Sequence, residues 1–263
     1  MPRLTHDRYD AELRAETARF AAAVEDADPA RPVPTCPAWT LAQLTEHVGF
    51  GHRWAAVIVE RRATRPVPND QADDLGVPEA AAERSQWLVA GARRLADAVR
   101  RAGPGTHVWT WADDQTAGFW LRRMAHDTLV HRLDAELAVG RPVALAPDLA
   151  ADSVSDLLDL FSILPRIDDF PALSQLRGHG QTLHLHATEP GLGLAGEWLA
   201  HRAPSGVEWE HRHAPADAAL RGPALDLLLV LSRRAPLAGS RLEASGDPDL
   251  LAHWLEHSRL EPA

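Results

Sequence analysis

Apolar residues recur at helical spacing through the N-terminal part of the chain and at alternate positions in much of the C-terminal part. Residues 5–27 put Leu13, Thr17, Phe20 and Val24 on one stripe and predict a first amphipathic helix. The Pro-rich stretch from Asp28 to Pro37 cannot be regular helix. Thr40-Leu41-Ala42-Gln43 then has the form of a capping box and opens a second helix running to about Arg62. Its inward positions are Leu44, His47, Val48, Gly51, Ala55 and Ile58, with Gly51 able to admit a close backbone or ligand. After a loop over 64–77, a third helix spans about Pro78 to Ala102, with Trp87, Leu88, Leu95 and Val99 inward. Gly103-Pro104-Gly105 and a short extended piece, His107–Trp111, lead to a fourth helix. From Phe119 to Val139 it contains no Pro or Gly, and Gly140 stands as its C-terminal stop. Four such helices joined by modest loops predict a four-helix bundle.

Pro147-Asp148 opens a fifth helix, and from Gln181 the period changes to two. Strands are expected over Thr182–Thr188, Glu197–His201, Val207–His211 and Ala218–Arg221, separated by Pro and Gly turns. Gly222-Pro223 starts another helix, Arg241–Ala244 reads as a last strand, and Asp247-Pro248 begins a closing helix through His257. The fold class is therefore mixed: a helical bundle followed by a small α+β domain. The change of period falls within 166–181, so the domains are expected as 1–168 and 169–263.

Composition adds exclusions. The chain has 263 residues, 45% hydrophobic and 24% charged, an ordinary globular balance. A formal charge of −10 disfavours nucleic acid and anionic membranes as partners. There is no apolar run long enough to span a bilayer and no signal-peptide core near the charged N-terminus, so a cytoplasmic location is expected; the expected assembly is a monomer or homodimer. Cys36 is the single cysteine, which excludes an internal disulfide and any multi-cysteine metal cluster. All 27 basic residues are Arg, which removes Lys as a Schiff base or general base.

The chemistry centres on the fourth helix. Asp127 and His131, at i and i+4, lie roughly 40° apart on one face, together with Trp120, Met124, Thr128 and Ala135. The carboxylate thus points where apolar side chains point, and burial there requires a cation, a partner or protonation. A carboxylate and an imidazole one turn apart can hold a divalent metal; the same spacing serves a buried Asp–His hydrogen bond. His126 is roughly 140° away from His131 and does not belong to the pair. His47, inward on the second helix, is the candidate third ligand, although a lone histidine on an apolar face is commonly a satisfied core residue. Two histidines and one carboxylate with open positions form the layout of a catalytic zinc or of non-haem iron. His52 reads as structural or surface, Asp134 and Glu136 as solvated helix charges, and Cys36 as a packed thiol. His184 and His186 share one strand face and His211 and His213 another, without a ligand partner evident in the sequence.

Cys36-Pro37-Ala38-Trp39-Thr40 leading to His47, followed downstream by Arg123–Ala135, is similar to the mycothiol-dependent maleylpyruvate isomerase family of DinB-like metalloenzymes. The likeness continues in Leu183–Thr188, Gly196–Leu199, Leu220–Leu229 and Gly246-Asp247-Pro248, which resemble the family's sterol-carrier-protein-like C-terminal domain. The resemblance implies a DinB-like four-helix bundle holding zinc, or another divalent metal, through His47, Asp127 and His131. It also implies mycothiol, a low-molecular-weight thiol of actinobacteria, as co-substrate. The family carries Glu where this chain has Asp127, one methylene shorter, so either the helix lies closer to the ion or the bond is weaker. A thiol ionised at such a metal adds to an electrophilic carbon, and rotation followed by expulsion of the thiol isomerises the substrate. If the thiol stays, the product is an S-conjugate. Arg234 corresponds best to the family's catalytic arginine, with Arg221 as the fallback, and either suits a substrate carboxylate. A binding pocket between the two domains is expected from this division of parts. The competing readings are a DinB-like metal-dependent hydrolase and a non-catalytic small-molecule-binding protein.

Overall fold

The apolar stripes of the N-terminal part become four long helices: α1 (His6–Val24), α2 (Leu41–Glu60), α3 (Ala81–Ala102) and α4 (Ala117–Ala138). Threonines start three of them. Thr5, Thr40 and Thr116 each accept a hydrogen bond from the backbone N–H three residues on, and Thr40 with Gln43 forms the full capping box. The computed structural model describes residues 3–71, 76–166 and 170–260. Two compact units account for the chain, one built on Leu4–Val143 and the other from Ala144 onward.

In the first unit α1 packs on α3 and α4, and α2 on the same two, which makes the expected bundle. Leu13, Leu44, Val48, Ala55, Ile58, Leu88, Leu95 and Val99 are all buried in it. Gly51 admits the Met124 sulfur, 3.2 Å from where a Cβ would stand, so a side chain of α4 takes the space rather than a ligand. The closer approach is at Gly49, where the Trp87 ring leaves no room for a Cβ. Trp54, Trp109, Trp111 and Trp120 cluster around the end of α2 and the start of α4, with Trp120 Nε1 donating to the Trp109 carbonyl at 2.8 Å. The Pro-rich stretch is more than a linker: β1 (Pro32–Val33) and β2 (Cys36–Thr40) pair antiparallel.

In the second unit, α5 (Pro147–Ile163) and a short α6 (Pro171–Ser174) precede the sheet. The strands β3 (Gln181–Ala187), β4 (Glu197–Ala203), β5 (Gly206–Glu210), β6 (Ala218–Gly222) and β7 (Glu243–Gly246) lie in the order β5-β4-β3-β6-β7. Only β3 and β6 run parallel; the other neighbours are antiparallel. Leu183, Leu185, Trp198 and Leu220 point to one face and are buried. That face meets α5 and α7 (Ala224–Leu231), with Trp198 Nε1 donating to Ser155 Oγ at 2.8 Å. Asp247 caps the closing helix α8 (Pro248–His257). The last strand begins two residues later than the alternation predicts, because Asp226 holds Arg241 by its backbone and its guanidinium at 2.6–3.2 Å.

The boundary expected between residues 168 and 169 lies outside the described residues. α5 packs against α7 and β5, so it groups with the sheet rather than with the bundle. Periodicity marks where helix gives way to strand; the partner of a helix is a tertiary property. No helix among the described residues is long and apolar enough to cross a membrane.

Candidate metal centre

Three elements of the bundle unit build the site. α2 supplies His47, α4 supplies Asp127 and His131, and β2 lays the Trp39 ring beside both imidazoles, at centroid distances of 4.7 Å from His47 and 5.9 Å from His131. The two imidazoles meet edge to face at 5.0 Å. His47 Nε2 stands 3.8 Å from Asp127 Oδ2, and one donor atom from each of His47, Asp127 and His131 lies within 4.8 Å of the others. His47 is not sealed in the core as its apolar stripe predicts. Its side chain is 42% exposed, against 20% for Asp127 and 10% for His131, so the site opens on the His47 side.

Behind this trio is a carboxylate that the sequence reading assigns to solvent. Asp134 is fully buried. Its Oδ2 receives His131 Nδ1 at 2.9 Å and the Cys36 thiol at 3.6 Å, and its Oδ1 receives the Thr35 hydroxyl at 2.6 Å. Glu136, the other helix charge, bonds Arg132 Nη1 at 2.6 Å. With Nδ1–H committed to Asp134, His131 keeps Nε2 as the nitrogen with a lone pair. Arg123, one turn before Asp127, donates to Asp127 Oδ1 at 2.9 Å, which leaves Oδ2 toward His47. The signal for Asp134 was present as His131-x-x-Asp134, an i,i+3 pair, but nothing in a sequence says that a β-ribbon covers it.

The electrostatics agree with a cation-binding role. Burial pushes His47 down to about 4, against the pull of Asp127, with His131 and Arg123 adding to the lowering; the open edge lets water relieve part of that push. Burial by itself would raise the Asp127 carboxyl, but His131, Arg123 and His47 outweigh it and hold Asp127 below the usual carboxylate range. At neutral pH the site therefore offers a neutral imidazole and an ionised carboxylate, the forms that ligate metals.

The donors fit a divalent ion. Tetrahedral zinc with bonds of about 2.0–2.1 Å places its ligand atoms roughly 3.3 Å apart. Donors already within 4.8 Å of one another need to close by no more than about 1.5 Å to reach that spacing. Cys36, His131 and Asp134 also lie within metal-ligand range of one another, but that group shares His131 with the trio and its carboxylate, Asp134, is fully buried.

The remaining histidines and arginines of the sequence reading fall elsewhere. His52 is buried and its Nε2 meets Thr128 Oγ1 at 2.7 Å. His126 is buried with its ring edge to face against Tyr9 at 5.8 Å. Arg221 lies on β6, exposed, 3.3 Å from Glu243. Arg234 follows α7 in a Schellman turn: its N–H donates to the Leu229 carbonyl at 2.7 Å, and Arg233 takes the left-handed conformation at φ 65°. Its guanidinium donates to the Ser232 carbonyl at 2.8 Å. The histidines of the second unit do find a partner, Glu197, which spacing alone did not reveal.

No curated protein sequence matches the chain. Residues 11–136 match the mycothiol maleylpyruvate isomerase N-terminal domain, the DinB-like helical module, and residues 148–253 match the MDMPI C-terminal domain. Together these matches cover the bundle with its candidate metal trio and the C-terminal sheet unit, and the chain belongs to the mycothiol maleylpyruvate isomerase family.

Proposed function

We propose that the protein is a zinc-dependent enzyme that activates a low-molecular-weight thiol, mycothiol, for addition to a small electrophilic substrate bearing a carboxylate, as an isomerase or an S-transferase. The observation that carries this reading is the convergence of His47, Asp127 and His131 within 4.8 Å, with Asp134 bonded to the far nitrogen of His131. A divalent ion there supplies a Lewis acid beside which a thiol ionises near neutral pH. Asp134 fixes the tautomer of His131 and makes Nε2 a better donor. Arg123 fixes one oxygen of Asp127 and so aims the other. Trp39 braces the His47 and His131 rings, and the exposed edge of His47 is the side from which a thiol enters. Arg234 is the residue assigned to the substrate carboxylate, with Arg221 second; a guanidinium pairs such a group in bidentate fashion.

Metal analysis combined with a thiol-dependence assay tests the proposal. His47→Ala and His131→Ala should each lose one equivalent of metal and the thiol-dependent activity, while His126→Ala keeps both. Arg234→Ala should keep the metal and lose roughly 100-fold in turnover, about 3 kcal/mol of transition-state stabilisation. Full metal content in His47→Ala removes the trio as a ligand set. Hydrolysis of a substrate without any thiol would make the protein a metal-dependent hydrolase instead.

A further inference from the structure

A second group of ligating side chains lies wholly within the C-terminal unit. His184 and His186 are on β3 and Glu197 is the first residue of β4, directly opposite His186 in the ladder. His184 Nε2 is 2.8 Å from Glu197 Oε2; His213 Nδ1 and His186 Nδ1 are 3.0 Å and 3.3 Å from Oε1. The three rings stand edge to face at 5.0–6.2 Å. The carboxylate is only 13% exposed, while His213 is 66% exposed, so the group is buried at its base and open at its top. The segment carrying His213 is itself tied down, because His211 Nδ1 bonds the Glu197 carbonyl at 2.9 Å and its ring packs on Trp209.

A structural ion pair needs one imidazole for one carboxylate. Three imidazoles around Glu197 exceed that need, and each brings a nitrogen able to act as donor to a metal. One donor atom from each of His184, Glu197 and His213 lies within 4.8 Å of the others, so closing by no more than about 1.5 Å brings them to the spacing of ligands around a four-coordinate ion. His186 lies on the same carboxylate and fixes its orientation. The opposing charge on this face is Arg221, which neighbours His186 in the β3–β6 register and has its guanidinium 3.3 Å from Glu243.

We propose that His184, Glu197 and His213 form a second metal site, taking one late first-row divalent ion such as Zn2+. The donors are two imidazoles and a carboxylate, which suit zinc and its neighbours and not Mg2+ or Ca2+. On binding, each ring moves its proton to the nitrogen facing away, Nδ1 in His184 and Nε2 in His213, so that the facing nitrogen donates to the ion. The open side leaves at least one position to water. The ion ties β3 and β4 to the segment that follows β5.

The test is metal stoichiometry of the full-length protein dialysed against micromolar Zn2+, with Co2+ absorption as a second readout. Wild type should bind two equivalents. His213→Ala, in an exposed position outside the strands, should lose one or bind it at least about tenfold more weakly. His47→Ala should lose the other, and His47→Ala/His213→Ala should bind neither tightly. Glu197→Gln should behave as His213→Ala does. An affinity and stoichiometry in His213→Ala equal to wild type overturns the second site, as does wild type binding a single equivalent that His47→Ala abolishes. Loss on His213→Ala with no loss on His47→Ala keeps the second site and rejects the bundle trio.

Discussion

Asp134 acts on the candidate centre from behind His131, and its influence is measurable without altering a ligand. Asp134→Asn keeps the shape but weakens the acceptor at His131 Nδ1 and leaves the Thr35 and Cys36 donors with a neutral partner. We expect metal affinity at the trio to fall about 10–100-fold, by competition with a chelator of known affinity. An unchanged affinity would mean that His131 does not bind through Nε2. At Asp127 the charge matters more than the reach. Asp127→Glu should retain the ion, whereas Asp127→Asn, a neutral and poor ligand, should bind far less in the same competition. The i,i+4 spacing of Asp127 and His131 was legible in the sequence because a helix fixes angles between its own residues. The buried state of Asp134 was not, because Thr35 and Cys36 come from a ribbon about a hundred residues earlier.

Between elements, α1 and α4 are joined by a buried ion pair. Arg132 Nε bonds Glu16 Oε2 at 2.7 Å with both side chains at most 2% exposed, and Arg19 pairs with Glu16 and Glu136 with Arg132. Arg132→Met removes the cation and leaves Glu16 buried with only Arg19, which is itself 57% exposed. The expected loss is about 3 kcal/mol in urea unfolding, the low end for a broken buried pair because Arg19 remains. Glu16→Leu/Arg132→Met should recover much of it, since an apolar pair carries no desolvation penalty; a double variant less stable than the single would contradict that account. The helices themselves followed from local rules, the threonine caps and apolar stripes. The pairing of β1 with β2 did not, because two prolines and a cysteine carry no strand alternation and the ribbon depends on the bundle beneath it.

For the whole molecule, buried histidines link folding to pH. His52 is fully buried, and burial lowers it from 6.5 to about 4. Its folded pKa is depressed, so below 6.5 the unfolded chain takes up a proton that the folded chain refuses until about pH 4. Stability of the metal-free protein should therefore fall as pH drops from 6.5 toward 4, by at most about 1.4 kcal/mol per pH unit from this residue. His47 acts in the same direction, less strongly because its edge is open to water. His52→Gln should flatten the slope in chelator-treated protein, whatever it does to stability at pH 7. Equal slopes in the two proteins would show that His52 does not titrate on unfolding.

Legible in the residues alone were the four bundle helices, the change to a β-rich part, the family, and a candidate pair, Asp127 and His131, at helical spacing with His47 as a candidate third ligand. These are short-range or pattern properties: a capping threonine, a period of 3.6 or 2, or a motif is complete within a few residues. Tertiary structure decided which unit α5 joins, that Asp134 is buried, that His47 sits at an open edge, and that Glu197 gathers histidines from β3 and from the segment after β5. Each of these depends on two segments far apart in the chain meeting in space. A carboxylate on a helix is solvated or buried according to what covers it, and residue type and local spacing do not specify the cover.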